Sequence, residues 1–338
     1  MPSGREGRFS RRGLIGGAMI LGTAGFLGLQ PRAAAAEPSL ETTTIRLPRA
    51  PGLCPAPQFL AGAFLQSEGF SDVRYIKMTA KEIGPALASG AADISMHFGA
   101  VLARGLDAGD SFVILGGVHV GCFELFGTAR IQSIRDLKDK TVAVPELGVG
   151  PHLILSAMVA YVGIAPNKEI SWVIRPPAEG KKLFAEGKVD AYMGFPPDPQ
   201  ELRERKIGHV VVNSAVDRPW SQYFCCLVAA NRDFIRRRPV ATKRALRAIL
   251  KATDFCSGSQ AQAARLLVDK GYTDRYDYAL DMLKMLPYKW REYDPEDSLR
   301  FWALLLHEAG MIKTSPNKII AQGTDWRFLA ELKKELKA

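Results

Sequence analysis

The sequence predicts an α/β protein of two similar lobes written in series, completed by an almost wholly helical C-terminal part. Three observations carry this expectation. Strand-like and helix-like segments alternate from "TTIRLPRA" onward, and the alternation restarts after Ile134. A nine-residue pattern, Gly-x-x-Asp-x-x-Met-x-Phe, occurs twice, as "GAADISMHF" from Gly90 and "GKVDAYMGF" from Gly187, each time at a helix-to-strand junction. After "YFCCLVAAN" the apolar residues change to helical spacing. A chain of 338 residues, 47% hydrophobic and 24% charged, has enough apolar side chains for two cores, which excludes disordered and fibrous classes.

The N-terminus reads as an export signal rather than as part of the fold. "SRRGLI" leads into a glycine-studded apolar run to Leu29 and then "RAAAAEP", with a small-residue cleavage site near Ala36. The run is too short and too poor in large apolar side chains for a membrane-spanning helix. Arg11 and Arg12 suit a twin-arginine signal, with an ordinary secretory signal as the alternative. Loss of residues 1–36 takes away five arginines and one glutamate, so the formal charge falls from +10 to +6. Charge alone then gives no reason to expect a nucleic-acid partner.

In the first lobe, residues 37–127, the order is "TTIRLPRA" strand, "APQFLAGAFLQSEGF" helix, "VRYIKM" strand, "EIGPALASG" helix, "ADISMHF" strand, "GAVLARGLDAG" helix and "FVILGGVH" strand. The second lobe, residues 128–222, repeats it with "KTVAVP", "GPHLILSAMVAYVG", "ISWVIR", "EGKKLFAEG", "VDAYMGF" and "HVVVN". Such alternation is the signature of a parallel sheet with helices on its faces. Residues 223–338 return mainly as helices, among them "VATKRALRAILKATDFCSG" and "DPEDSLRFWALLLHEAG", which have to bury their apolar faces on the first lobe. The chain therefore crosses between lobes twice, near Gly127 and near Ser221–Tyr223.

The five cysteines show no Cys-x-x-Cys pair and there is no His-Glu-x-x-His, so the spacing supports no metal site and no cofactor is expected. Alternation would place Cys225 and Cys226 on opposite faces of a strand as buried thiols. In open α/β sheets, ligands lie beyond the carboxyl ends of the strands, where helix N-termini present free N–H groups. Three turns fit that place. "GLCPAPQ" offers Pro55 and Gln58, "HFGAV" offers Phe98 and Gly99, and "ELGVGPH" offers Gly148, Val149, Gly150 and His152. His152 is read either as a ligand contact or as a packed histidine. Phe195 and Tyr223 add aromatic walls, and Asp93 and Asp190 are read as turn or helix contacts rather than ligands. "ELGVGPH" lacks the third glycine of a dinucleotide fingerprint and the Gly-Lys-Ser/Thr of a Walker loop.

The export signal, the junctions "LASGAADISMHFG" and "FAEGKVDAYMGF", the stretch "SIRDLKDKTVAVPELGVGPHLIL" and the helix "FIRRRPVATKRALRAILKATDFC" together resemble periplasmic solute-binding proteins of ABC importers, of the nitrate, sulfonate, taurine and thiamine-precursor type. The resemblance implies a periplasmic-binding-protein-like fold of type II with two crossover segments. It also implies a monomer that closes on a small-molecule ligand and delivers it to an ABC permease at the membrane. In that family a small hydroxyl residue often stands where Val149 is here, so a small organic anion is expected ahead of nitrate or a sulfonate. The rival class is an enzyme, because a pyrimidine-synthesising branch of the same fold carries a cysteine-rich motif. Only Cys225 and Cys226 stand at that place here.

Overall fold

The computed structural model describes residues 37–337. The expected signal, with Arg11, Arg12 and the cleavage site near Ala36, lies outside the described residues. Ten strands follow in chain order: β1 (Thr44–Arg49), β2 (Asp72–Lys77), β3 (Ile94–Phe98), β4 (Phe112–Val120), β5 (Glu124–Gly127), β6 (Lys140–Val144), β7 (Ile170–Ile174), β8 (Ala191–Gly194), β9 (His209–Asn213) and β10 (Phe224–Asn231). They form two separate groups of sheets, one per lobe.

In lobe 1, β1 pairs with β2 in parallel, and β10 runs antiparallel between β3 and β4. The junction from β1 to β3 is made by Asp93: its N–H donates to the Arg46 carbonyl at 2.9 Å, and its carboxylate accepts from the Arg46 N–H at 2.7 Å. Lobe 2 has the order β7-β6-β8-β5-β9, with β6 parallel to β7 and β8 and with β5 antiparallel to β8 and β9. Reading β6 to β9 as the counterparts of β1 to β4, and β5 as that of β10, makes the two orders the same.

This symmetry accounts for the repeated nine-residue pattern. Asp190 repeats the Asp93 clamp, its N–H donating to the Thr141 carbonyl at 2.9 Å and its carboxylate accepting from the Thr141 N–H at 2.9 Å. A short polar side chain at this place satisfies a backbone N–H that no neighbouring strand reaches. The glycine closes the preceding helix, the aspartate ties two strands, and the phenylalanine five residues later stands at the mouth of the sheet. Both aspartates are thus strand clamps rather than ligands.

Two crossing segments join the lobes, and the first lies earlier than the expected boundary near Gly127. Glu124–Gly127 already form β5, an interior strand of the second sheet. The strand read as "FVILGGVH" ends at Val120, and the chain then bends at Gly121, where φ is +41°. The second crossing runs between β9 and β10. Both crossings touch: the Ser214 hydroxyl accepts from the Phe123 N–H at 2.9 Å and from the Cys122 N–H at 3.2 Å, and the Ser214 N–H donates to the Phe123 carbonyl at 2.9 Å.

The C-terminal helices cover lobe 1 and reach lobe 2. Helix Pro239–Gly258 buries Ala241, Ala245, Leu246, Ile249, Ala252 and Cys256, the apolar stripe of a 3.6-residue period, and packs on the helices Ala56–Leu60 and Gly62–Ser67. Helix Pro295–Glu308 packs on Gly99–Asp107 in lobe 1 and on Gly150–Tyr161 in lobe 2. Helices Pro316–Gly323 and Arg327–Glu335 complete the chain. No described helix is long and apolar enough to cross a membrane.

Candidate functional site

A cavity of about 320 Å³ lies between the lobes, lined by residues that directly follow the carboxyl ends of six strands. Pro51 follows β1, Thr79 to Lys81 follow β2, and Phe98 ends β3. Pro145, Glu146 and Val149 to Pro151 follow β6, Pro176 and Pro177 follow β7, and Phe195 follows β8. Each lobe therefore contributes the same three positions, as the shared strand order requires. Parallel strands of one lobe all point their carboxyl ends at the facing lobe, so a crevice there is a consequence of topology.

The walls are mainly apolar. Phe98 from lobe 1 and Phe195 from lobe 2 meet with ring centroids 5.5 Å apart in an edge-to-face arrangement, and Phe123 of the first crossing lies 4.9 Å from Phe98 and 5.6 Å from Phe195. Phe98 is 7% exposed, whereas Phe195 is half-buried. The first turn of helix Gly150–Tyr161 approaches this cluster closely. A β-carbon on Gly150 would come within 2.6 Å of the Phe98 ring, so only glycine permits the contact. That helix carries Pro at its second position and no side-chain cap, which leaves its first N–H groups without intrahelical acceptors.

Polar contacts span the cleft at its edges. Lys81 of lobe 1 pairs with Glu146 of lobe 2, and the Leu53 N–H donates to the Pro196 carbonyl at 3.0 Å. Both side chains of the ion pair are well exposed, so it adds little stability. Glu124 does not face the cleft. It is buried against Arg203, which also reaches Asp281 of the C-terminal part at 2.8 Å.

Of the ten residues singled out in the sequence, four line the cavity: Phe98, Val149, Gly150 and Phe195. Gly148 stands in the exposed part of the same turn and donates its N–H to His152 Nδ1 at 3.1 Å. Gly99 is buried under Trp302. Pro55 caps the helix Ala56–Leu60. The Gln58 amide is spent within lobe 1, its nitrogen donating to the Pro48 carbonyl at 2.6 Å and its oxygen accepting from the Met96 N–H. Tyr223 stacks on Phe301 with centroids 3.8 Å apart, in an aromatic group with Trp220 and Trp302. Neither Gln58 nor Tyr223 is brought to the cavity, and each has a packing role instead. Sequence reading missed the loops after β2 and β7, because nothing in "TAK" or "RPP" marks a site until the strand order is known.

His152 is buried edge-on against Trp172, 4.7 Å between centroids. Burial, helped by the charge of Arg104, holds its pKa down at about 4, and burial alone does the same to His97. Both are neutral in the folded protein at neutral pH, whereas an unfolded histidine takes up a proton near 6.5. Because the folded pKa is the lower one, the stability gained by keeping each ring neutral is full above pH 6.5. It is lost as pH falls from there to about 4. Denaturant titrations at pH 7 and pH 5 should show a loss of about 2 kcal/mol per histidine. His152→Gln should make the fall shallower, and an unchanged slope would mean that His152 is protonated in the fold.

Residues 126–268 match the model of the NMT1-like family. No curated protein matches the sequence. Among solved structures, the chain is similar to the periplasmic nitrate-binding protein NrtA from Synechocystis PCC 6803, at 15% identity and a TM-score of 0.74, with 89% of this chain and 90% of that one covered. It is also similar to the periplasmic aliphatic sulphonate binding protein SsuA from Escherichia coli, at 17% identity and a TM-score of 0.67 over 83% of this chain and 91% of that one. The alkanesulfonate-binding protein SsuA from Xanthomonas axonopodis pv. citri, bound to MOPS, gives 15% identity and a TM-score of 0.66, with 81% and 96% covered. At these identities the likeness shows the fold, which is the periplasmic binding protein fold.

Proposed function

We propose that this protein is the solute-binding component of an ABC importer, capturing a small organic solute between its lobes and handing it to a membrane permease. The observation that supports this best is the cavity built from the same three positions of each lobe, with Phe98 and Phe195 as facing walls. Its apolar walls suit an organic body, and the uncapped start of helix Gly150–Tyr161 suits a carboxylate or another anionic end. No cation other than Lys81 lines the cavity among the described residues, and Lys81 is paired with Glu146. Nitrate, a small ion without an apolar body, fits these walls poorly. The enzymatic alternative rested on Cys225 and Cys226, which are buried and do not line the cavity.

Thermal-shift screening against organic carboxylates, sulfonates, nitrate and pyrimidines tests the reading. A true ligand at 100 times its Kd should stabilise the protein by about 2.7 kcal/mol. The same ligand should shrink the radius of gyration if the two crossings act as a hinge. A panel in which no small molecule moves the transition counts against a binding protein.

We further propose that the chain is exported by the twin-arginine route and acts outside the cytoplasmic membrane as a monomer. Replacing Arg11 and Arg12 together by Lys should hold the protein in the cytoplasm, as read by cell fractionation. Continued export of that variant would assign the signal to the general secretory route.

A further inference from the structure

The two crossing segments bring together thiols that are far apart in the chain. Cys122 belongs to the first crossing, and Cys225 and Cys226 open β10 directly after the second. Simple alternation would have pointed Cys225 and Cys226 to opposite faces. The register of β10 against β4 shifts on both sides of Cys226, and this irregularity leaves both sulfurs near Cys122. The three Sγ atoms lie within 4.8 Å of one another, with Cys122 and Cys225 only 3.0 Å apart, and all three residues are buried.

The surroundings are polar in a place that should be apolar. Cys54 adds a fourth buried thiol near Cys122. His119 is fully buried beside Cys226, and its Nε2 has no hydrogen-bond partner. The buried Tyr288 hydroxyl, on a ring 5.9 Å from His119, also has none. Buried polar atoms are nearly always satisfied, so orphaned atoms around a knot of thiols indicate something to which they bind.

We propose that Cys122, Cys225 and Cys226 are the ligands of a thiophilic metal ion, zinc or copper(I), that ties the two crossings together at the hinge. Zinc bonds to sulfur at about 2.3 Å, which places sulfurs of one ion just under 4 Å apart, inside the span of this trio. Zinc would complete its four ligands with a water molecule, whereas three thiolates alone suit copper(I). The three thiols lose their protons on binding, and these pass to solvent. The ion would be structural, since the cavity between the lobes is lined by other residues.

The test uses the full chain, purified and reduced without oxygen, with zinc and copper(I) added separately and cobalt(II) as a spectroscopic stand-in for zinc. The expected result is about one ion retained per chain after exchange into metal-free buffer. Cobalt should give a thiolate-to-metal charge-transfer band. Cys122→Ser and Cys225→Ser should each lower retention at least tenfold, and Cys256→Ser, a buried cysteine outside the trio, should leave it unchanged. Retention of zinc alone or of copper alone identifies the ion. If the folded wild-type chain retains neither and shows no cobalt band, the site does not exist. Recovery of a Cys122–Cys225 disulfide from the oxygen-free preparation would overturn the proposal in favour of a covalent staple.

Discussion

Gly121→Ala is expected to cost more than about 3 kcal/mol of folding stability, although it adds a single methyl group. The residue has φ of +41°, and an ideal β-carbon there would lie 2.3 Å from the Ala215 nitrogen and from the Ser214 carbonyl carbon. These are backbone atoms of the other crossing, held by the bonds of Ser214 to Cys122 and Phe123, and they cannot swing aside. Gly109→Ala is the control. Gly109 also has positive φ, +89°, but open space around it, so it isolates the conformational cost of about 1–2 kcal/mol. Denaturant midpoints of the two variants separate the effects. Equal losses would show that the crossings do not touch.

Truncation of the facing phenylalanines should have the next largest effect, and the two should differ in kind. Phe98 is nearly buried and touches Phe123, Phe195 and the start of helix Gly150–Tyr161, so Phe98→Ala should cost about 3–5 kcal/mol of stability as well as affinity. Phe195 is half-buried and belongs more to the cavity than to the core. Phe195→Ala should therefore cost less stability and weaken binding by about tenfold or more, that is 1.4 kcal/mol or above. Calorimetric titration with a ligand from the thermal-shift screen, beside denaturant unfolding, reads both quantities. Unchanged affinity in both folded variants would remove these rings from the site.

Much of this is legible in the sequence itself, and the reasons are specific. The strands and helices of both lobes have clear periods, and the repeated Gly-x-x-Asp-x-x-Met-x-Phe marks equivalent junctions, so the pairing of Phe98 with Phe195 could be read from order alone. β5 could not, because its four residues, Glu124–Gly127, follow β4 after only Gly121, Cys122 and Phe123, and the bend at Gly121 is a property of contacts made about ninety residues later. Gln58 and Tyr223 were misplaced for a related reason. Position near a strand end shows that a side chain is close to the cleft but not which way it points, and both are held by partners from distant segments, Pro48 and Met96 for one and Phe301 for the other. The thiol knot was invisible because Cys122 stands about a hundred residues before Cys225 and Cys226, and metal motifs are recognised by local spacing.

The return of the chain to lobe 1 also sets an order of assembly. Lobe 2 is written without interruption from β5 to β9, so its sheet can close as soon as His209–Asn213 has been synthesised. Lobe 1 cannot, because its interior strand β10 comes last and lies between β3 and β4. Until Phe224–Asn231 leaves the ribosome, β3 and β4 each present an unpaired and mainly apolar edge, the kind that seeds aggregation. A nascent chain halted between residues 214 and 223 would hold one finished lobe and one open one, and it is the N-terminal lobe, made first, that finishes second.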